Sequence, residues 1–357
     1  MTHSIRLLAA LCCLTLATAA GAQTNNSNND AAELAFERGR LMVQSHRFKE
    51  ASALWDSIAR RNVTPDYKAK YLAINGVLHR DSLRDTTLAL RYFQRAEALY
   101  PSIKQMRTKE VETSVIYASM GLGAYADSLK QYSTAITHYD KAIDLTTHLL
   151  QEGIRGFDMS DFDLTVRQYS FELCRAVDYG HVGQFEDAEV AFEQLQYNYG
   201  MFELSPDPEI KMQGWLFGSL SRQQYILMLE RDKNDMERAL QETNSLLDKL
   251  LSGLSSGDTT ITEGLAYQMP MFLYHAARIN LKAGDPEQAI KLCGNALLWT
   301  SDDEWKPAII NVKGEALLKQ RKKDEARQCW EEVRQFAPGF YNAPKGTHPL
   351  QDKFGKK

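Results

Sequence analysis

One spacing ladder recurs along the chain and limits what it can fold into. A small residue is followed twelve positions later by Ala, then by an aromatic or apolar residue four on, then by an apolar one three on. The copies read Gly39, Ala51, Trp55, Ile58; Gly123, Ala135, Tyr139, Ala142; Ala176, Ala188, Phe192, Leu195; Ala277, Ala289, Cys293, Ala296; and Gly314, Ala326, Trp330, Val333. Another copy keeps Ala89, Phe93 and Ala96 with Val77 in the leading place, and a weaker one surrounds Ala239 with Leu227, Thr243 and Leu246. Steps of three, four and seven residues return to one face of an α-helix, so the ladder predicts antiparallel helix pairs rather than strands.

Each rung has a physical use. Small residues on the first helix and Ala on the second let two helices approach closely, and the larger residues that follow fill the gap to the next pair. Turn signals fall between the helices: His46-Arg47-Phe48, Gly183-Gln184-Phe185 and Gly284-Asp285-Pro286. Gly284 suits a helix C-terminus, Asp285 an N-cap and Pro286 the first helical position. Pro101 and Pro338 stop their helices. At these residues the chain resembles the tetratricopeptide repeat, from Ala31 to about Phe340. The resemblance implies an all-α solenoid of about seven helix pairs, wound as a right-handed superhelix, whose first helices line a concave ligand-binding face.

The period is irregular. The ladder Ala residues stand at 51, 89, 135, 188, 239, 289 and 326, always more than the roughly 34 residues of an uninterrupted array apart. The excess is expected in a long helix within 104–130 and in three loops, Glu152–Phe162, Gly200–Glu209 and Leu251–Gly264; loops of such length are often functional.

The ends carry different information. Arg6 precedes an apolar stretch, Leu7 to Ala20, and Ala20-Gly21-Ala22 precedes Gln23, which is the pattern of a secretory signal peptide over 1–22. Residues 23–30, QTNNSNND, read as a polar, disordered leader, 31–340 as the solenoid, and 341–357 as a locally basic tail outside it. With the signal removed no further stretch is apolar enough to span a membrane, so the chain is expected to be exported, bacterial, and periplasmic or at the outer surface. The net charge is −4, with Arg6 the one charged side chain of the signal; a mildly acidic chain excludes nucleic acid, whose binders show a clustered basic face. Cys174, Cys293 and Cys329 lie in apolar helical patterns and read as buried thiols, with a Cys293–Cys329 bridge as the alternative.

A catalytic constellation is not evident. The eight histidines are scattered, no zinc, nucleophile-elbow or phosphate-loop motif occurs, and Asp158, Asp161 and Asp163 lack the Gly and closing Glu of a calcium loop. No cofactor is expected; the partner is expected to be a protein or peptide. Counting along the first helices, the resemblance places Phe36, Arg40, Tyr71, Ile74, Asn75, Tyr117 and Met120 on the inner face near the start. Near the end it places Tyr274, Arg278, Lys282, Asn311, Glu315 and Lys319 there. That face would begin aromatic and end basic, suiting an extended segment with acidic and apolar parts. The carboxylate clamp of related chaperone-binding repeats is not matched: its places hold Phe36, Arg40, Asn75, Tyr117 and Gly121, of which Asn75 alone agrees. An alternative function is glycan or nutrient binding in an outer-membrane uptake system, with Trp215, Trp299 and Trp305 stacking on sugars. Asp-Ser/Thr steps resemble a short bacterial O-glycosylation sequon, with Thr86 and Thr259, nearest to turns, as candidates.

Overall fold

The computed structural model describes residues 27–61, 63–99, 109–151, 161–300 and 305–336. The signal, Pro101, Pro338, most of the Glu152–Phe162 loop and the tail lie outside them. Among the described residues there are fifteen helices and no strand. They are α1 (Ser27–Gln44), α2 (Phe48–Ala59), α3 (Pro65–Asp81), α4 (Thr86–Glu97), α5 (Lys109–Ser128), α6 (Tyr132–Gln151), α7 (Asp161–His181) and α8 (Phe185–Glu203). There follow α9 (Pro208–Arg231), α10 (Met236–Leu254), α11 (Thr259–Ala266), α12 (Met269–Ala283), α13 (Pro286–Trp299), α14 (Lys306–Lys319) and α15 (Lys323–Phe336). Without α11 they form seven helix pairs. The chain divides into two compact units, Met1–Ala191 and Phe192–Lys357, with the division inside α8.

Every rung of the ladder is buried, from Ala51, Trp55 and Ile58 to Ala326, Trp330 and Val333, and the weak copy at Ala239, Thr243 and Leu246 is buried as well. The leading small residue faces the aromatic rung of its own pair. A Cβ on Gly39 would lie 2.2 Å from Trp55, one on Gly123 2.8 Å from Tyr139, and one on Gly314 2.7 Å from Trp330. The missing Gly of the second pair is present one residue early: a Cβ on Gly76 would meet Phe93 at 2.4 Å.

The turns explain that displacement. Each turn within a pair holds one left-handed residue, His46, Arg84, Lys130, Gly183, Asn234, Gly284 or Arg321, always five positions before the ladder Ala. In five pairs a backbone N–H reaches back five residues to close the helix, as Arg47 to Met42, Gln131 to Ala126, Gln184 to Tyr179, Asp285 to Asn280 and Lys322 to Leu317. In the second and fifth pairs the reach is six, Asp85 to His79 and Asp235 to Leu229. The extra turn residue shifts the first helix by one position against its partner, so Gly76 rather than Val77 faces Phe93.

Three expected boundaries move. α1 starts at Ser27, so residues 27–30 of the expected leader are helical; Ser, Asn and Asp are helix-start residues. Gly200–Glu203 extends α8, leaving a short link before Asp207, which caps α9 through the Glu209 and Ile210 N–H groups. The expected loop Leu251–Gly264 is largely helical, since α10 runs to Leu254 and α11 begins at Thr259. Asp258 caps α11 by accepting from Thr260 and Ile261, and Ile261 and Leu265, one turn apart, bury its apolar side. Cys174, Cys293 and Cys329 are free thiols.

Candidate binding surface

In the first unit the first helices α1, α3 and α5 carry the residues expected on a ligand-binding face, and tertiary packing sorts them. Tyr71 and Asn75 are fully buried. The Tyr71 hydroxyl donates to the Ala32 carbonyl, and Asn75 Nδ2 donates to Ser52 O at 3.4 Å. Burial pushes the Tyr71 phenol well above its ordinary range. Both residues hold helices together and offer a partner no surface, which corrects their expected placement. The cause is register: four residues apart on α3, they share the stripe that α1 and α2 cover.

Phe36, Arg40, Tyr117 and Met120 remain half-exposed. Phe36 stacks on Trp55 with centroids 6.3 Å apart, and Lys70 Nζ stands 3.9 Å from the Phe36 centroid while reaching Glu33 at 3.5 Å. Arg40 pairs along its own helix with Glu37 at 2.9 Å. Arg167 donates to the Tyr117 hydroxyl at 2.5 Å with its guanidinium 5.2 Å from the Tyr117 ring centroid. Met120 packs on the core of the third pair. Lys70 and Arg167 were not singled out from sequence; each is a cation on a first helix that reaches across to an aromatic on the preceding one.

In the second unit the corresponding residues lie on α12 and α14. Arg278 and Lys282 both pair with Glu230, the last acid of α9, whose side chain has no exposure, whereas theirs are 23% and 49% exposed. The basic bias expected here is therefore met by an internal acid. Glu230 is the first of four charged residues, Glu230 to Lys233, that follow the apolar run Tyr225-Ile226-Leu227-Met228-Leu229. Tyr274 is half-buried, 5.6 Å from Trp305 and 5.0 Å from His275. His275 is buried, and desolvation together with the Arg278 and Arg231 charges pushes it down to about 3, so it is neutral. Lys319 donates to the Leu281 carbonyl at 2.7 Å. Asn311 is 7% exposed and accepts from Trp330 Nε1 at 3.2 Å; it belongs to the interior of the last pair, correcting its expected place on the face.

Two polar clusters lie in the interior instead. Ser52 Oγ and His79 Nε2 are 2.9 Å apart with both residues under 9% exposed. Asp178, on α7, hydrogen-bonds Asp127, on α5, and burial plus that facing carboxyl push it up to about 8. Among the described residues no group of three His, Cys, Asp or Glu could hold a metal ion, and no helix is long and apolar enough to cross a membrane. The tryptophans of the sugar-binding alternative differ in their surroundings. Trp215 lies against Gly253, Trp305 against Tyr274, and Trp299 is 39% exposed. Thr86 and Thr259 are exposed first residues of α4 and α11, each directly after an Asp whose carboxylate caps the helix. At these two places the Asp-Thr step is a helix start.

No family model matches the chain, and no curated protein matches it. Solved structures do. A tetratricopeptide repeat protein from Parabacteroides merdae superposes with a TM-score of 0.53 at 12% identity, over 86% of this chain and 94% of that one. The apo quorum sensor NprR from B. thuringiensis gives 0.47 at 11% identity, over 87% of this chain and 77% of that one. A Rap protein complexed with competence and sporulation factor gives 0.45 at 16%, over 86% and 76%. At such identity the likeness to the first is one of fold: this chain is a tetratricopeptide-repeat-like all-α solenoid.

Proposed function

We propose that the protein is a non-catalytic scaffold of the bacterial cell envelope, periplasmic or at the outer surface, that holds a segment of a partner protein on its first-helix faces. The observation that carries this reading is the half-exposed aromatic rings on those helices, each with a cation beside it, of which Lys70 is buried and Arg167 and Arg278 are partly exposed. Phe36 with Lys70 and Tyr117 with Arg167 stand on the first unit, and Tyr274 with Arg278 on the second. Aromatic rings and Arg supply a large share of energy at protein interfaces because they bury much area with little entropy to lose. The polar clusters that could suggest catalysis, Ser52 with His79 and Asp127 with Asp178, are covered by helices and reach no open surface through Ser52, His79 or Asp178. Export is supported by the signal pattern of residues 1–22, and the exposed Thr86 and Thr259 are the positions at which O-glycosylation would be sought.

The test is photo-crosslinking in cells that make the protein, with a benzophenone amino acid at Tyr117 or Tyr274 and, as control, at exposed Glu193 on α8. A discrete adduct from the first-helix positions and none from Glu193 is expected. Identical adducts from all three, or a glycan array signal dependent on Trp299 with no protein adduct, would sink the proposal. Mass spectrometry of the purified protein is expected to find Gln23 at the N-terminus.

A further inference from the structure

Arg278 and Lys282 stand one turn apart on α12, with side chains 23% and 49% exposed. Their arrangement is that of a carboxylate receptor. Arg278 Nη2 meets Glu230 Oε2, and Lys282 Nζ meets Glu230 Oε1, so each oxygen of one carboxylate has a cation to itself. The carboxylate sits under them with no exposure. Two charge-assisted bonds to one fully desolvated acid leave neither cation with its strongest partner to seek. A second carboxylate arriving from a partner would meet like charge at Glu230 and a competitor already in place. Beside this filled site stands an aromatic surface, Tyr274 against Trp305 with neutral His275 behind it.

We propose that Glu230 is a resident occupant of the Arg278–Lys282 carboxylate site and so determines what the second unit accepts. The segment held there presents an aromatic or apolar side chain to Tyr274 and Trp305, and no acid to Arg278. This rests on the reading of the first-helix faces as the binding surface and removes most of the acidic preference that the cations alone would imply. Occupancy and reduced charge complementarity to an acid carry it: each Glu230 oxygen is paired with one of the two cations, and the three side chains contribute one net positive charge instead of two.

The probe is a fluorescein-labelled octaglutamate peptide, followed by anisotropy at low salt with full-length mature protein. Wild type is expected to show no Arg278-dependent binding. Glu230→Gln, which keeps the shape and removes the charge, is expected to bind the probe roughly tenfold or more tightly, the range of one or two charge-assisted hydrogen bonds. Adding Arg278→Met should abolish that gain. Glu230→Asp withdraws the carboxylate by one methylene and serves as the second variant, with a smaller gain of the same dependence, and circular dichroism verifies that each is folded. Octaglutamate binding by wild type that is lost on Arg278→Met overturns the assignment, as does a folded variant with no gain. Either result leaves partner holding by the first-helix faces to the crosslinking test, since the probe needs no natural partner.

Discussion

Phe93 offers the sharpest test of how the pairs are held together. Its ring is 1% exposed and lies between two glycines, one from its own pair and one from the next. A Cβ on Gly76 would come within 2.4 Å of Cε1, and a Cβ on Gly121 within 2.5 Å of Cε2. Opposite edges are thus pinned, and the ring cannot step aside from one methyl without striking the other backbone. Gly121→Ala should gain about 1 kcal/mol of helix propensity but incur roughly 1–3 kcal/mol of overpacking, for a net loss of about 1 kcal/mol. Phe93→Ala should cost about 3–5 kcal/mol through lost burial and the cavity left behind. In the double variant the new methyl enters that cavity, so Gly121→Ala becomes neutral or stabilising. The coupling should then be about 1–3 kcal/mol, against the few tenths expected of independent sites. Urea unfolding followed by circular dichroism at constant slope reads all four corners of the cycle. Additivity of the two changes would refute the wedge.

Three further outcomes follow from the same geometry. Asp178 keeps its proton in the fold to about pH 8 and releases it near pH 4 when unfolded, so its contribution is complete below about 4 and declines as pH rises to about 8. Asp178→Asn, which can still donate to Asp127, should flatten that decline when Tm is compared at pH 5 and 8.5; an unchanged pH profile would contradict it. Arg84, Lys130 and Arg321 hold φ of 56°, 60° and 67°, where a side chain costs about 1 kcal/mol. Replacing any of them with Gly should raise the urea midpoint, and a lowered midpoint would show that the side chain matters more than the backbone strain. Asp258→Ala removes the cap of α11 and should lower the urea midpoint, with faster amide exchange at Thr260 and Ile261 as the local readout.

Most of the architecture was legible because its cause is periodic. The ladder Ala residues, the aromatic rungs and the turn signals at Gly183 and Gly284 act within one helix or one turn, so spacing alone places them. Val77 was misleading for a reason that spacing hides: one added turn residue moves the facing position to Gly76, visible only once the helices are packed. The same holds for α11, where two Thr and a Gly suggested a loop until Asp258 capped it and Ile261 and Leu265 found a core.

The candidate surface was half legible. A helical period says which residues share a stripe, and Phe36, Tyr117, Tyr274, Arg278 and Lys282, expected from the repeat resemblance, stand on the first helices α1, α5 and α12. Which side of that stripe a neighbouring helix covers depends on rotation and distance between helices, set by side-chain volumes far apart in the chain. That is why Tyr71, Asn75 and Asn311 went to the interior. For the same reason Glu230, 48 residues from Arg278, could be matched to its cations only in three dimensions. The sequence by itself determined the repeat, the turns and the helix pairs, since these are short-range consequences of backbone geometry. The tertiary structure decided which polar side chains remain available, because desolvation and charge pairing depend on what the fold brings alongside.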